Sequence, residues 1–385
     1  MTPTMSPAQM LAQQNLLQRQ AVLANAVEMT QNIYSAAIQP TVQTVINIPP
    51  RNVGLIKGFI VEVSGTITNT AATPLVRTNF GSANIVQQFT FTDLNNQVRI
   101  NVPGYYLATL NSARQGWAFG GVYQNNLAMG YGSNYNVNAG AATVAISTDV
   151  YVKHVYYVPL AYSGDDLRGS IYAGIINATM NLQITLNNNP CIGATTELQA
   201  IFKGNAASTW KAGTAIQIDV YQVYLDQLPI INGNPVVPVL DLNTVYELKQ
   251  TTLNGISAGQ DKPIPYANFR DFLSTFIVYD NNGTFNAGTD INYFSLTSAN
   301  FTNLFKYSPN ITALKNRQVF MADLPLGTYY FDHRSRPINT IAFGNMELNV
   351  NTNNAPAGAR LIAAYEAFSQ QAQLSSSVTG ALGGG

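Results

Sequence analysis

The chain has 385 residues, of which 46% are apolar and only 10% are Asp, Glu, Lys or Arg, against about 25% charged in an ordinary soluble domain. Nineteen basic and nineteen acidic side chains cancel, so nothing marks a surface built to hold nucleic acid through its phosphates, and direct nucleic-acid binding is not expected. One cysteine, Cys191, and two histidines, His154 and His333, exclude an intrachain disulfide and any Cys/His zinc spacing, so no metal and no cofactor is expected.

Residues 6 to 39 are rich in Gln and Ala and free of Gly, with Ser6 and Pro7 suited to cap and first-turn positions and Pro40 ending the run. They predict an amphipathic helix in an N-terminal segment 1–40. Leu16, Leu23, Val27, Tyr34 and Ile38 follow a 7, 4, 7, 4 spacing that places them in one stripe, to be covered by the chain's own domain, a neighbouring copy or a lipid surface. With Arg19 and Glu28 the only charges in the segment, a membrane-surface helix is the less supported of these. The start of the chain lacks the basic and apolar regions of a signal peptide, and no apolar run is long enough to span a bilayer, so neither secretion nor membrane crossing is expected.

From about residue 41 the pattern turns to β. Strands are expected at 41–48, 56–63, 85–92, 143–147, 150–158, 180–186, 216–225, 272–279, 291–296, 327–331, 338–343 and 360–368, with Gly, Pro and Asn between them and little helix. Such a series predicts an all-β chain of sandwiches or barrels. The stretch Leu228-Pro-Ile-Ile-Asn-Gly-Asn-Pro-Val-Val-Pro238 is the strongest linker signal and divides the β region into a first domain at 41–229 and a second at 241–369, joined through 230–240. Residues 370–385, ending in three glycines, carry no packing pattern and are expected to be a flexible tail.

No motif carries chemistry. His154 lies in an alternating run and His333 in a charged turn, and neither has the neighbours a triad requires. Asp165 and Asp166, and Asp323 with Asp332, are expected to cap or solvate turns rather than act as paired acids. Residues 280–290 have oxygen donors but not the glycine position or closing Glu of a calcium loop, and Gly130-Tyr-Gly-Ser-Asn-Tyr lacks the third glycine of a dinucleotide loop. The acceptor patterns at Asn177, Asn282, Asn300 and Asn310 are expected by chance in a chain this rich in Asn and Thr. Three function classes are weighed: a self-associating structural protein, because interface cores are poor in Lys, Glu and Asp; a carbohydrate-binding, lectin-like β-sandwich; and, least supported, a hydrolase, which would need His154, His333 or the Asp165-Asp166 pair.

Four blocks, Asn52-Val-Gly-Leu-Ile-Lys-Gly-Phe-Ile-Val-Glu-Val63, Tyr157-Val-Pro-Leu-Ala-Tyr-Ser163, Tyr221-Gln-Val-Tyr-Leu-Asp-Gln-Leu-Pro229 and the stretch Phe276 to Tyr293, resemble the major capsid proteins of tectiviruses, tailless bacteriophages with a membrane beneath the shell. The resemblance implies a double jelly roll, two tandem eight-stranded rolls preceded by the helix. It further implies a pseudo-hexagonal homotrimer that tiles an icosahedral virion capsid without catalysis, assembled in the host cytoplasm. Implied partners are the chain itself, neighbouring trimers, and minor capsid, vertex and membrane proteins of the virion. The helix would then face the internal membrane with weak contact, each basic residue near an anionic surface contributing only about 1 kcal/mol. Loops 120–142 and 250–265 diverge from the family pattern. Deleting residues 1–39 is expected to leave trimers folded while impairing shell formation.

Overall fold

Ser6 opens the first helix with a capping box: its hydroxyl accepts from the Gln9 N–H while the Gln9 side chain accepts from the Ser6 N–H, and Pro7 occupies the first turn. The computed structural model describes residues 6–370 apart from 40–43, 71, 116–142, 146, 175–178, 194–197, 199, 205–206, 282–283, 286–287, 300–302 and 321–322. Helix α1 is Pro7–Asn25, shorter than expected, because Ala26 is already extended and the next segment forms strand β1, Val27–Ile38. That segment holds good helix formers and no breaker. Its backbone nevertheless pairs along its length with a distant strand, from Val27 opposite Asp226 to Ile38 opposite Ile216, and such tertiary pairing overrides propensity. The domain boundary expected at 40/41 therefore moves to 26/27.

The first half continues with β2 (Val45–Ile48), β3 (Leu55–Thr68), β4 (Val86–Thr92), β5 (Val98–Val102), α2 (Gly104–Gln115), β6 (Asp149–Pro159), β7 (Asn181–Leu186) and β8 (Ile216–Asp226). The expected linker holds a small hairpin, Ile230–Ile231 against Asn234–Pro235, and leads into a short helix, Val239–Leu242. The second half then runs β9 (Thr244–Leu253), β10 (Asp261–Tyr266), β11 (Arg270–Asn281), β12 (Ile291–Ser298), β13 (Phe305–Tyr307), α3 (Pro309–Phe320), β14 (Thr328–Asp332), β15 (Met346–Thr352) and β16 (Arg360–Gln370). Two further departures are local. The strand expected at 143–147 is only Thr143–Val144, and Ile338–Asn339 passes into a short helix, Thr340–Phe343, capped by the Asn339 side chain.

Within the first half one antiparallel sheet has the order β1-β8-β3-β6 and the facing one β2-β7-β4-β5. The second half repeats this as β9-β16-β11-β14 and β10-β15-β12-β13. Adding eight to each strand of the first half gives its counterpart in the second, and α2 becomes α3. Each half is a jelly roll, so the chain is the double jelly roll that the resemblance implied.

Burial follows the period of two expected where one face of a strand is covered. Along β8, Ile216, Ile218 and Val220 are buried while Gln217, Asp219 and Tyr221 are half-buried. The first core is built around Phe59, Val61, Phe89, Phe91 and Ile184, the second around Phe272, Ile277, Phe294, Leu348 and Leu361. The first core does not stop at the roll boundary. It runs on through α2 into Tyr246, Leu248, Phe276 and Ile362 of the second roll, which fixes the two rolls as one packed body.

Candidate assembly surfaces

The groups that could have carried chemistry are engaged in structure. His154 on β6 is buried beside Tyr156, with Nδ1 3.2 Å from Ser82 Oγ, and burial pushes it down to about 3. Burial likewise pushes His333 down to about 4, although Asp332 pulls the other way. The Asp165 carboxylate accepts from Ser163, and the Asp166 carboxylate is gripped by Arg168, which outweighs the opposing effect of burial and holds it below its usual range. Asp323 pairs with Arg317 and Asp332 with Arg334. In the loop at 280–290, Asp280 pairs with Arg360 and Asp290 accepts from Asn354, whereas the 282–283 and 286–287 pairs lie outside the described residues. So do loop 120–142, Asn177, Asn300 and the tail beyond 370. Among the described residues no group of His, Cys, Asp and Glu could hold a metal ion. Loop 250–265 is resolved into the end of β9 and the start of β10.

The buried histidine makes stability depend on pH. In the folded chain His154 stays neutral down to about pH 3, while in the unfolded chain it protonates near 6.5. Between those values the unfolded state binds more protons, so stability falls as the pH drops. The expected loss from pH 7 to pH 4 is roughly 3 kcal/mol from this residue. Urea unfolding of the native chain and of His154→Phe at both pH values checks it: an equal loss in the variant would place the acid sensitivity elsewhere.

Of the five stripe residues, Leu16 and Leu23 lie on α1, and Val27, Tyr34 and Ile38 on β1, so they do not share a helical face. Ile38 is buried, Tyr34 and Leu23 pack against core clusters, and Leu16 and Val27 stay nearly half exposed. The helix packs through another face. Val22 is fully buried with Leu55, Leu167 and Leu225. Asn15 Nδ2 donates to Asp241 Oδ1 at 3.0 Å, and Arg19 Nε donates to Asp241 Oδ2 at 2.6 Å. Asp241 belongs to the short helix after the linker, so α1 is clamped at the joint between the rolls. Sequence reasoning missed this contact, since nothing in the spacing links Asp241 to Arg19. Around the rest of α1, Met10, Leu11, Leu16 and Leu17 are each about half exposed, Met10 and Leu17 away from the packed face and Leu11 and Leu16 to either side of it.

The joint itself holds a buried polar cluster. Glu366 of β16, 0% exposed, accepts from Tyr246 and Ser274 at 2.8 Å each, and its Oε1 lies 3.3 Å from Arg114 Nε of α2. Arg114 also donates to Tyr246 Oη at 2.8 Å and lies 4.3 Å from the centroid of the Tyr162 ring. β5 runs parallel to β9, with Ile100 opposite Leu248 and Asn101 opposite Lys249. A cleft of about 300 Å³ beside it is lined by Gln87, Gln88, Tyr105, Gln250 and Arg360. Its one charged group, Arg360, is paired with Asp280, so it is a polar seam between the rolls with no free titratable group among its described residues.

The duplication meets its match among known proteins. Residues 3–228 match the family described as P3 major capsid protein N-terminal, and residues 243–380 match P3 major capsid protein C-terminal. The chain belongs to the P3 major capsid protein family. The two matched segments part at the linker, between the rolls. Major capsid protein P3 of Enterobacteria phage PRD1 is 37% identical over 365 residues, covering 94% of this chain and 92% of that protein. In fold, this P3 family member is similar to the crystal structure of the STIV MCP, with a TM-score of 0.63 at 13% identity over 90% of this chain and 97% of that one. It is similar too to a chain in the atomic structure of Sulfolobus Turreted Icosahedral Virus, with a TM-score of 0.64 at 14% identity over 92% and 95%. PBCV-1 VP54 follows with a TM-score of 0.52 at 10% identity over 89% and 94%. These matches give the lectin-like alternative no support.

Proposed function

We propose that this P3 family member works by assembly alone: it forms a homotrimer of near-hexagonal outline, and trimers tile an icosahedral virion capsid around an internal membrane. The observation that carries this reading is the membership of both halves in one capsid family together with their identical strand order. Three copies of a chain with two like rolls present six similar blocks around one axis, which lets a closed three-fold unit fill a six-sided tile. A surface low in charge suits such contacts, since few ions must be desolvated when copies meet.

In this reading α1 lies on the inner side of the shell, and its exposed Met10, Leu11, Leu16 and Leu17 meet a neighbouring copy or the membrane. Lipid contact is weak for each copy, because Arg19, the one charge between residues 6 and 26, is held by Asp241. Minor capsid, vertex and membrane proteins of the virion are the further partners, and the host cytoplasm is the place of assembly. Light scattering after size exclusion tests the reading: the expected native mass is three times the 41.6 kDa subunit, or a larger multiple of it. A monomer at micromolar concentration would overturn it.

A further inference from the structure

The two rolls of one chain meet through unlike faces. The first roll offers a helix side, α2 with the edge of β5. Tyr106 of α2 lies 5.9 Å, centroid to centroid, from Phe276 of β11, and Ile100 of β5 stands opposite Leu248 of β9. The second roll offers a sheet side, the outer face of β9, β16 and β11, where Tyr246, Leu248, Phe276 and Glu366 are buried. Because the rolls repeat one another, each helix side and each sheet side exists twice, and the joint within the chain uses one of each.

The unused counterparts are open. Ile311 is the third residue of α3, as Tyr106 is of α2; Tyr106 is 0% exposed and Ile311 45%. Leu314, the counterpart of the buried Thr109, is 56% exposed. On the other side, β1 and β9 end at corresponding residues, Ile38 opposite Ile216 and Leu253 opposite Leu361. Five residues on from Ile216 and Leu361 lie Tyr221 and Glu366, whose strand partners are Asn32 and Leu248, the bulge between Asn32 and Tyr34 taking up one extra residue of β1, so Asn32 and Tyr221 are the counterparts of Leu248 and Glu366. Asn32 is exposed and Tyr221 half-buried, and Ile60 beside Tyr221 is half-buried too. Among the described residues β1 and β13 each have a single neighbouring strand, which leaves one edge of each without a ladder.

We propose that these two open faces are partners across copies: α3 and β13 of one subunit dock on the outer face of β1, β8 and β3 of the next, reproducing between chains the joint found within the chain. By the same counting, β13 runs parallel to β1 with Phe305, four residues before α3 as Ile100 is before α2, opposite Asn32. The contact is heterologous, so it must close into a ring or propagate, and a ring of three consumes every open face. The proposal rests on the homotrimer reading and adds which surfaces make the trimer.

Paired cysteines test it, since Cys191, the one native cysteine, is buried. The full chain carrying Asn32→Cys and Phe305→Cys, oxidised and run under denaturing conditions, is expected to give dimers and trimers, while each single variant runs as one chain. As a second measurement, Ile311→Glu places an unpaired charge in the contact and is expected to weaken association roughly a hundredfold, with the circular dichroism of the subunit unchanged. Native trimers without a crosslink, together with an intact trimer in Ile311→Glu, would overturn this interface and leave the trimer standing. A native chain that is itself monomeric would overturn both.

Discussion

Replacing Glu366 with Ala is expected to destabilise the chain by about 4 kcal/mol, because it breaks a buried ion pair from one side only. The carboxylate is fully enclosed and is shared by Tyr246, Ser274 and Arg114, which come from β9, β11 and α2. Removing it leaves the Arg114 guanidinium in a site that offers tyrosine hydroxyl and backbone oxygens but no negative charge. Burial opposes that cation, and Tyr246 and Glu366 together reverse the balance and raise its pKa. Glu366→Gln keeps the shape and part of the hydrogen bonding, so it is expected to cost less than Ala. Guanidinium unfolding of the three proteins decides the matter: a loss under about 1 kcal/mol for the Ala variant would mean that the apolar contacts around Tyr106 and Phe276 alone hold the rolls together.

This joint illustrates what could and could not be read from residues. Runs such as Val150 to Val158 and Ile216 to Leu225 announced their strands by alternation and β-branching, and the Pro-rich linker announced the division. β9 and β10 were missed for local reasons. Thr244-Val-Tyr-Glu-Leu-Lys-Gln-Thr-Thr-Leu253 mixes strand and helix formers, and Pro263 and Pro265 look like breakers until β10 is seen to be an edge strand, where proline is tolerated. α2 was missed because Gly104 heads it without a capping signature, whereas α3 carries the same Ser-Pro pair as α1, Ser308 before Pro309 with the Ser308 hydroxyl accepting from the Ile311 N–H, and the short run behind it hid the signal. The misread stripe has a geometric cause. Tyr34 and Ile38 are four residues apart, a spacing shared by one helical face and one strand face. The bulge between Asn32 and Tyr34 then returns Val27 to that same strand face, opposite Asp226 where Tyr34 is opposite Val220. Tyr246 lies 120 residues and Ser274 92 residues from Glu366, and Asn15 lies 226 from Asp241, and no local pattern encodes such pairings.

Where α1 gives way to β1, truncation has two sharply different expected results. Deleting residues 1–25 removes the helix and the burial of Val22, worth about 2 kcal/mol, and turns Asp241 out to water. The first roll keeps all its strands, so folded trimers are expected, with only the contacts of the exposed α1 residues lost. Deleting residues 1–38 instead strips β8 of its ladder partner from Ile216 to Asp226 and removes Ile38 from the core. It also takes away Glu28, the ion-pair partner of Lys57, a side chain only 7% exposed in the fold. An uncovered central strand and an unpaired buried cation together predict loss of soluble, folded protein, and hence loss of trimer, not the selective defect in shell formation expected for removing a helix alone. Soluble yield, thermal unfolding and native mass of the two truncations separate the cases. If the longer deletion still gave stable trimers, β1 would be dispensable to the roll, and its outer face could not be the surface on which the neighbouring subunit docks.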